Sequence, residues 1–465
     1  MPTVMKKKEL ERLRRLDRRR SWKPFTDMRE YMGSEPHVIE RGRGRWLFDA
    51  EGRKLLDAVS SLWCNLLGHR VPEIDRAVRD QLARVAHTTS LGPTHPAAIE
   101  LADRLVRMAP SGLERVFYSD SGSEAVEVAL KLAVGHWRHR GRPEKSKIVC
   151  LAESYHGDTL GAVSVGGIEV FHSEWRKLCF EALRVPSPAC HVCGQRRTCR
   201  TGQTGRTCPT APCLQALERL LAERSDEIAA LVIEPRIQAA AGMLFAWDGY
   251  LREARRLTRK HDVLLIADEV ATGFGRTGRR FACEHEGVAP DLLCVAKGLT
   301  GGYLPLAATL ATGEIFESFL AKEPGERRVF FHGHTYTANP LGCAAALATL
   351  KLLDRELPKL RRRSRELAAV LAPLAELPHV GEVRLLGLMG GVELVEDKCS
   401  GKPFDPKRRV GSAVCRAALD HGVLIRPLGD LLVIMPPINI TGPEMRHLAR
   451  GIEAAIGDVC GGRKG

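Results

Sequence analysis

The sequence predicts an α/β fold: a large domain on a mostly parallel sheet, plus a smaller α/β domain assembled from both chain ends. Three observations predict it. From about residue 75 to 340, short apolar runs alternate with amphipathic stretches, the pattern of a parallel sheet covered by helices. The opening 75 residues differ, because "RGRGRWLFDAEGRKLLDAVS" reads as a small antiparallel meander with a glycine turn. The closing 120 residues mix helices with short strands such as "GLMGGVELV". The expected divisions are therefore 1–74, 75–345 and 346–465, with a cysteine-rich insert at 190–213.

The N-terminal run "MPTVMKKKELERLRRLDRRR" carries nine basic and three acidic side chains. It reads as a solvated helix or frayed arm. It has no apolar core of a signal peptide, so the expected location is cytoplasmic. Within the large domain, "IAALVIEP" (228–235) and "DVLLIADE" (262–269) look like buried strands. The amphipathic stretches "PCLQALERLLAERSDE" and "DGYLREARRLTRKHD" precede them as helices.

Bulk properties narrow the function classes. The chain has 465 residues, 44% of them hydrophobic, enough for a sizeable core. No apolar run has the length of a membrane span. The formal charge of +14 invites a nucleic-acid partner. However, much of the excess sits in two appendages, residues 1–20 and the insert, which has four arginines and no acid. The body is close to neutral, so no nucleic-acid partner is expected. A metal-binding, nucleic-acid-associated protein is the reading from a different class. The 14 cysteines are mostly single and set in apolar sequence, as core thiols are.

Three stretches carry chemistry. In "FYSDSGSEAVEVALKLAVGHW" an apolar lead-in gives way to Ser119–Ser123, and a helical pattern runs on to about Trp137. Ser121 and Glu124 have capping-box spacing. A small-residue loop at a helix start is either a plain N-cap or an anion site. In "LLIADEVATGFGRTG", Asp268 ends a buried strand, where an acid is either salt-bridged or facing a ligand. The strand-end Asp-Glu resembles a nucleotide-hydrolase acid, but the chain has no G-x-x-x-x-G-K-[ST] loop. Gly273, Gly275 and Gly278 spell G-x-G-x-x-G, yet only a short helical piece follows before Pro290. They read as loop glycines. In "LLCVAKGLTGGYLP" a greasy run ends in Lys297 and then glycines. Desolvation would lower the amine's pKa and allow Schiff-base chemistry. An anion loop, a strand-end aspartate and a strand-end lysine are the inventory of a pyridoxal phosphate (PLP) site.

On these residues the chain resembles the class III aminotransferases, of PLP-dependent transferase fold type I. The resemblance runs from "WKPFTDM" (22–28) to "LLVIMPPINIT" (431–441), through "DSGSEAVEVALK", "SYHGDTLGAVSVG", "DEVATGFGRTG", "KGLTGGYLP" and "IRPLGD". "YHGDT", "FHGHTYTANPLGCAAA" and "RPLGD" are most similar to the branch that aminates 8-amino-7-oxononanoate in biotin synthesis. That similarity implies a homodimer with shared active sites. Its small-molecule substrates would be 8-amino-7-oxononanoate and an amino donor, S-adenosylmethionine or lysine. It implies that Lys297 holds PLP, Asp268 pairs with the ring nitrogen, Gly122 and Ser123 bind the phosphate, and Tyr155 lies on the ring. His334 and Thr335 would complete the phosphate site from the neighbouring subunit. Phe25, Leu62, Trp63, Tyr155 and Gly333 would line the substrate pocket, and Arg426 would clamp the substrate carboxylate. An arginine after apolar "GVLI" suits bidentate recognition. Phe25 and Leu62 stand where many members have tyrosine and tryptophan, which is closer to a lysine-using branch.

The insert "CHVCGQRRTCRTGQTGRTCPTAPC" departs from the family pattern. Cys190, Cys193, Cys199, Cys208 and Cys213 could fold around zinc, pair as a disulfide or remain thiols. No metal is assigned to the catalytic centre.

Overall fold

A computed structural model describes residues 5–189, 208 and 211–461. Its centre is a seven-stranded sheet in the order Leu113–Ser119, Ala307–Thr312, Leu292–Val295, Leu264–Asp268, Ile228–Ile233, Lys147–Leu151, Leu183–Val185. Only Ala307–Thr312 runs against its neighbours, so the sheet is mostly parallel, as expected. Strand Ile228–Ile233 is buried at every position. That explains its unbroken apolar sequence, since a strand covered on both faces has no polar side. Helix Tyr250–Lys260 buries Leu251, Ala254 and Leu257 at helical spacing and leads directly into strand Leu264–Asp268.

The chain ends meet. Strands Ile39–Arg43, Trp46–Asp49 and Lys54–Asp57 form the antiparallel meander. Val423–Leu424 adds to it in parallel beside Leu56 and Asp57. A second sheet joins Val380–Leu386, Met389–Leu394, Leu431–Ile434 and Arg426–Leu428. The 32-residue helix Pro340–Leu371 runs from one region to the other. The N-terminal arm is a helix, Lys7–Arg20, held by buried Leu10 and by Arg14 pairs with Glu35 and Glu51. Among the described residues no helix is long and apolar enough to cross a membrane.

Cys190, Cys193 and Cys199 lie outside the described residues. Cys208 and Cys213 are buried in the main core, and the Cys213 sulfur accepts from Trp247 Nε1 at 3.4 Å. Gly273, Gly275 and Gly278 are indeed loop glycines, followed only by the single turn Ala282–His285. Their neighbourhood is tight, because a side chain on Gly387 would meet the Thr277 carbonyl carbon at 2.2 Å.

Candidate active site

Parallel strands all point their carboxyl ends at one edge of the sheet, and polar residues placed there converge. Strand Lys147–Leu151 leads to Tyr155 and His156. Strand Ile228–Ile233 leads to Glu234, and Leu264–Asp268 ends on Asp268 itself. Asp268 pairs in register with Cys294 on the next strand, so Lys297, three residues further on, falls beside it. The result is a cleft of about 640 Å³, lined among others by Trp63, Ser123, Tyr155, Asp268 and Lys297.

Lys297 opens a short 3-10 turn, Lys297–Thr300, and holds φ +42°. A left-handed backbone is costly for a residue with a Cβ and tends to gather at functional sites. Its amine sits 5.2 Å from the centre of the Trp63 ring, and Trp63 is itself left-handed at φ +67°. Burial pushes the amine below the ordinary lysine range, while Asp268 and Glu234 pull it back up. The glycines after it have structural reasons of their own. Gly301 caps the turn at φ +65°, and a Cβ on Gly302 would meet Asn65 Oδ1 at 2.3 Å.

Asp268 is 5% exposed. Its Oδ2 accepts from His156 Nδ1 at 2.7 Å and its Oδ1 accepts from Val270 N at 3.0 Å. Burial alone would hold His156 neutral, but the Asp268 hydrogen bond and the charges of Asp268 and Glu234 outweigh it and raise its pKa. Glu234 accepts from the backbone N–H groups of Tyr155 and Ala239, both at 3.0 Å. Burial pushes its carboxyl up to about 7. His156 and Glu234 escaped the sequence reading. Glu234 carried the signal that found Asp268, an acid ending a buried strand.

Glu269, next to Asp268, faces the other way. It is fully buried and accepts from Ala282 N, Cys283 N and the Thr272 hydroxyl. Burial pushes it up to about 7 from 4.5. A raised pKa means the folded state binds the proton more tightly. Its contribution to stability is complete below about 4.5 and lost as the pH rises through about 7. Glu269→Gln should therefore flatten the fall in melting temperature over that window. An unchanged slope would show the carboxyl to be ionised throughout.

The anion end of the cleft is the helix Gly122–His139. Ser121 and Glu124 form the expected capping box. The first N–H groups of a helix have no acceptor further back in it, and the dipole there favours negative charge. Ser123 Oγ bonds Thr159 Oγ1 at 2.7 Å and accepts from Thr159 N at 3.0 Å. Gly157, at φ +120°, packs so closely that a Cβ would lie 2.3 Å from Ser123 Oγ. Tyr155 donates to Asp158 at 2.7 Å and stacks on His172. The arrangement can hold a phosphate at the helix start, keep a buried aromatic nitrogen protonated at Asp268, and present an amine between them.

The other candidates lie outside the lining of this cleft. Phe25 and Leu62 are exposed, and Phe25 meets Phe171 edge-on at 5.4 Å, which in turn meets Tyr155 at 6.2 Å. Gly333 and Thr335 are exposed, while His334 Nδ1 is 3.8 Å from Asp120, a cleft residue. Arg426 is exposed at the start of strand Arg426–Leu428.

The family model for aminotransferase class-III matches residues 30–456. A relative from Geobacter sulfurreducens, named adenosylmethionine-8-amino-7-oxononanoate aminotransferase, is 49% identical over 456 residues, covering 98% of this chain and 99% of the relative. The crystal structure of the like-named protein from Methanocaldococcus jannaschii superposes with a TM-score of 0.90 at 40% identity, covering 97% and 99% of the two chains. The omega transaminase of Pseudomonas jessenii, solved in complex with PMP, gives 0.88 at 28% identity over 97% and 98%. The chain belongs to the class III aminotransferases.

Proposed function

We propose that this aminotransferase converts 8-amino-7-oxononanoate to 7,8-diaminononanoate in biotin synthesis, as a cytoplasmic homodimer using PLP and S-adenosylmethionine. One observation carries the reading. The buried Asp268–His156 pair, the Lys297 amine and the free helix start at Gly122–Ser123 share a single cleft. The curated relatives named for this reaction match nearly the full chain.

These residues fit PLP. His156 Nε2 is buried without a partner, on the side of the ring away from Asp268. Gly122 leaves no room for a side chain, since a Cβ would meet Val270 Cγ1 at 2.5 Å. Lys297 would bind the cofactor covalently, Asp268 would hold the pyridine nitrogen, and Gly122, Ser123 and Thr159 would hold the phosphate. When bound, the group supplies an electron sink for the substrate carbon that gives up or receives the amine. The protein's own contributions are these. Asp268 is oriented by its hydrogen bonds from His156 Nδ1 and Val270 N. Lys297, kept weakly basic by burial, takes and returns a proton at its Nζ. Trp63 and Tyr155 line the cleft and exclude water from it.

Exposed Leu91, Phe331 and Tyr336, near the loop bearing His334 and Thr335, support the dimer reading. Sedimentation showing only monomer at micromolar concentration would remove it. The parallel pairing of Val423 with Leu56 supports a small domain made of 1–74 and 346–465 around 75–345, with limited proteolysis as its check.

Lysine as a second donor is favoured by Phe25 and Leu62, which offer neither hydroxyl nor indole. The test is a half-reaction. S-adenosylmethionine added to the PLP-loaded enzyme should bleach its visible band. Bleaching by lysine alone would replace the donor, and bleaching by neither would point to another omega-transaminase substrate.

A further inference from the structure

The stretch "RGRGRW" (41–46) sets three arginines at every second position, with glycines between them. The fold gives two of the three a partner. Arg41 lies over the Phe48 ring at 4.1 Å, and Arg45 pairs with Glu444 at 3.0 Å. Arg43 has neither a hydrogen bond nor an ion pair among the described residues.

A second such arginine lies beside it. Gly44 and His69 form an antiparallel bridge, and each N–H donates to the other's carbonyl, at 2.9 and 2.6 Å. In an antiparallel pairing, the residue before one partner lies across from the residue after the other. The bridge therefore sets Arg43 opposite Arg70. The approach is close, since a Cβ on Gly68 would meet the Gly44 carbonyl oxygen at 2.3 Å. Arg70 also has no hydrogen bond or ion pair among the described residues, and its backbone is left-handed at φ +53°. Like charges facing each other across paired strands repel, and a left-handed backbone is costly for a residue with a Cβ. No group among the described residues offsets either cost.

Both arginines line a cavity of about 500 Å³, and no described residue lines both it and the cleft at Lys297. The acids on its rim do not neutralise them. Glu356 is held by Lys359 at 2.8 Å and Arg363 at 2.6 Å, and Glu73 faces Arg355 at 3.8 Å. The rest of the wall includes Leu67, Val71, Pro72 and Leu352. A cavity of this size, apolar with a few convergent charges, suits a small organic molecule.

We propose that this cavity is a second ligand site, one that takes a small phosphorylated organic molecule. Its phosphate bridges Arg43 and Arg70, and its body lies on the apolar wall. The planar fork of arginine matches phosphate oxygens in pairs. A dianion set between the two guanidinium groups replaces their repulsion with two attractions.

The test is titration calorimetry in phosphate-free buffer. The PLP-loaded enzyme is used, so that the anion end of the cleft is already filled. The probes are inorganic phosphate and phenyl phosphate, which carries the same anion on an apolar body. Both should bind, phenyl phosphate about tenfold more tightly, and Arg43→Gln with Arg70→Gln should weaken each at least roughly tenfold. Equal affinity for the two probes would make the free ion the ligand of the site. Unchanged affinity in the double variant, or no binding to the wild type at millimolar probe, would overturn the proposal. The melting temperature without phosphate is a second readout. It should not fall in the double variant, because the repulsion is gone. A marked fall would show that the two arginines hold the fold together, which also overturns the proposal. If the double variant does not fold, Arg43→Gln alone, an exposed position at the hairpin tip, gives the same comparison of probe affinities.

Discussion

Lys297→Ala should leave a folded protein that no longer binds PLP covalently and loses at least roughly 10²–10⁴-fold in turnover. Borohydride reduction followed by peptide mass spectrometry reads the attachment directly. In the wild type, the peptide carrying Lys297 should gain the mass of the reduced cofactor, and in the variant no peptide should. The size of the effect follows from the site. Among the described residues no other lysine lines the cleft, so no neighbour there can replace the lost amine. Added methylamine, small enough to occupy the space left by the side chain, should restore part of the activity. Normal turnover in the variant, with the cofactor mass on another lysine, would remove Lys297 from the mechanism.

Asp268→Asn should be nearly as damaging. The substitution preserves shape but removes the carboxylate that His156 pairs with and that the pyridine nitrogen of PLP would share. Breaking a buried ion pair costs about 3–5 kcal/mol, which converts to at least roughly a hundredfold in kcat/KM. Two signatures separate this from general damage. Cofactor affinity should weaken together with kcat, and His156 should lose the partner that keeps it protonated, so its proton NMR signal should titrate at lower pH. A D268N variant with full kcat/KM would show that the charge is not used.

Much of the site could be read in the sequence because it is built from strand ends. Asp268 and Lys297 each close an apolar run, and Ser121 with Glu124 announces the helix start. Local pattern suffices for such residues, since the parallel sheet then brings their positions together. Glu234 obeyed the same rule and was passed over. His156 was different: its partner Asp268 is 112 residues away in sequence, and no periodicity marks it. Phe25, Leu62, Gly333, His334 and Thr335 came from resemblance alone, and Arg426 from resemblance together with its place after an apolar run. The single chain leaves most of them exposed, where side-chain pattern carries little information.

The union of the two chain ends has a consequence for synthesis. Met435 N donates to the Ala58 carbonyl at 2.8 Å, Ile438 N to the Leu66 carbonyl at 2.8 Å, and the Trp63 turn lies between them. At the pace of translation, the residues that seat Trp63 leave the ribosome on the order of tens of seconds after it. The central sheet can assemble in that interval, but the wall beside Lys297 cannot. A nascent or prematurely ended chain therefore holds Lys297 without a finished pocket, and that pocket is completed only with the last tenth of the polypeptide.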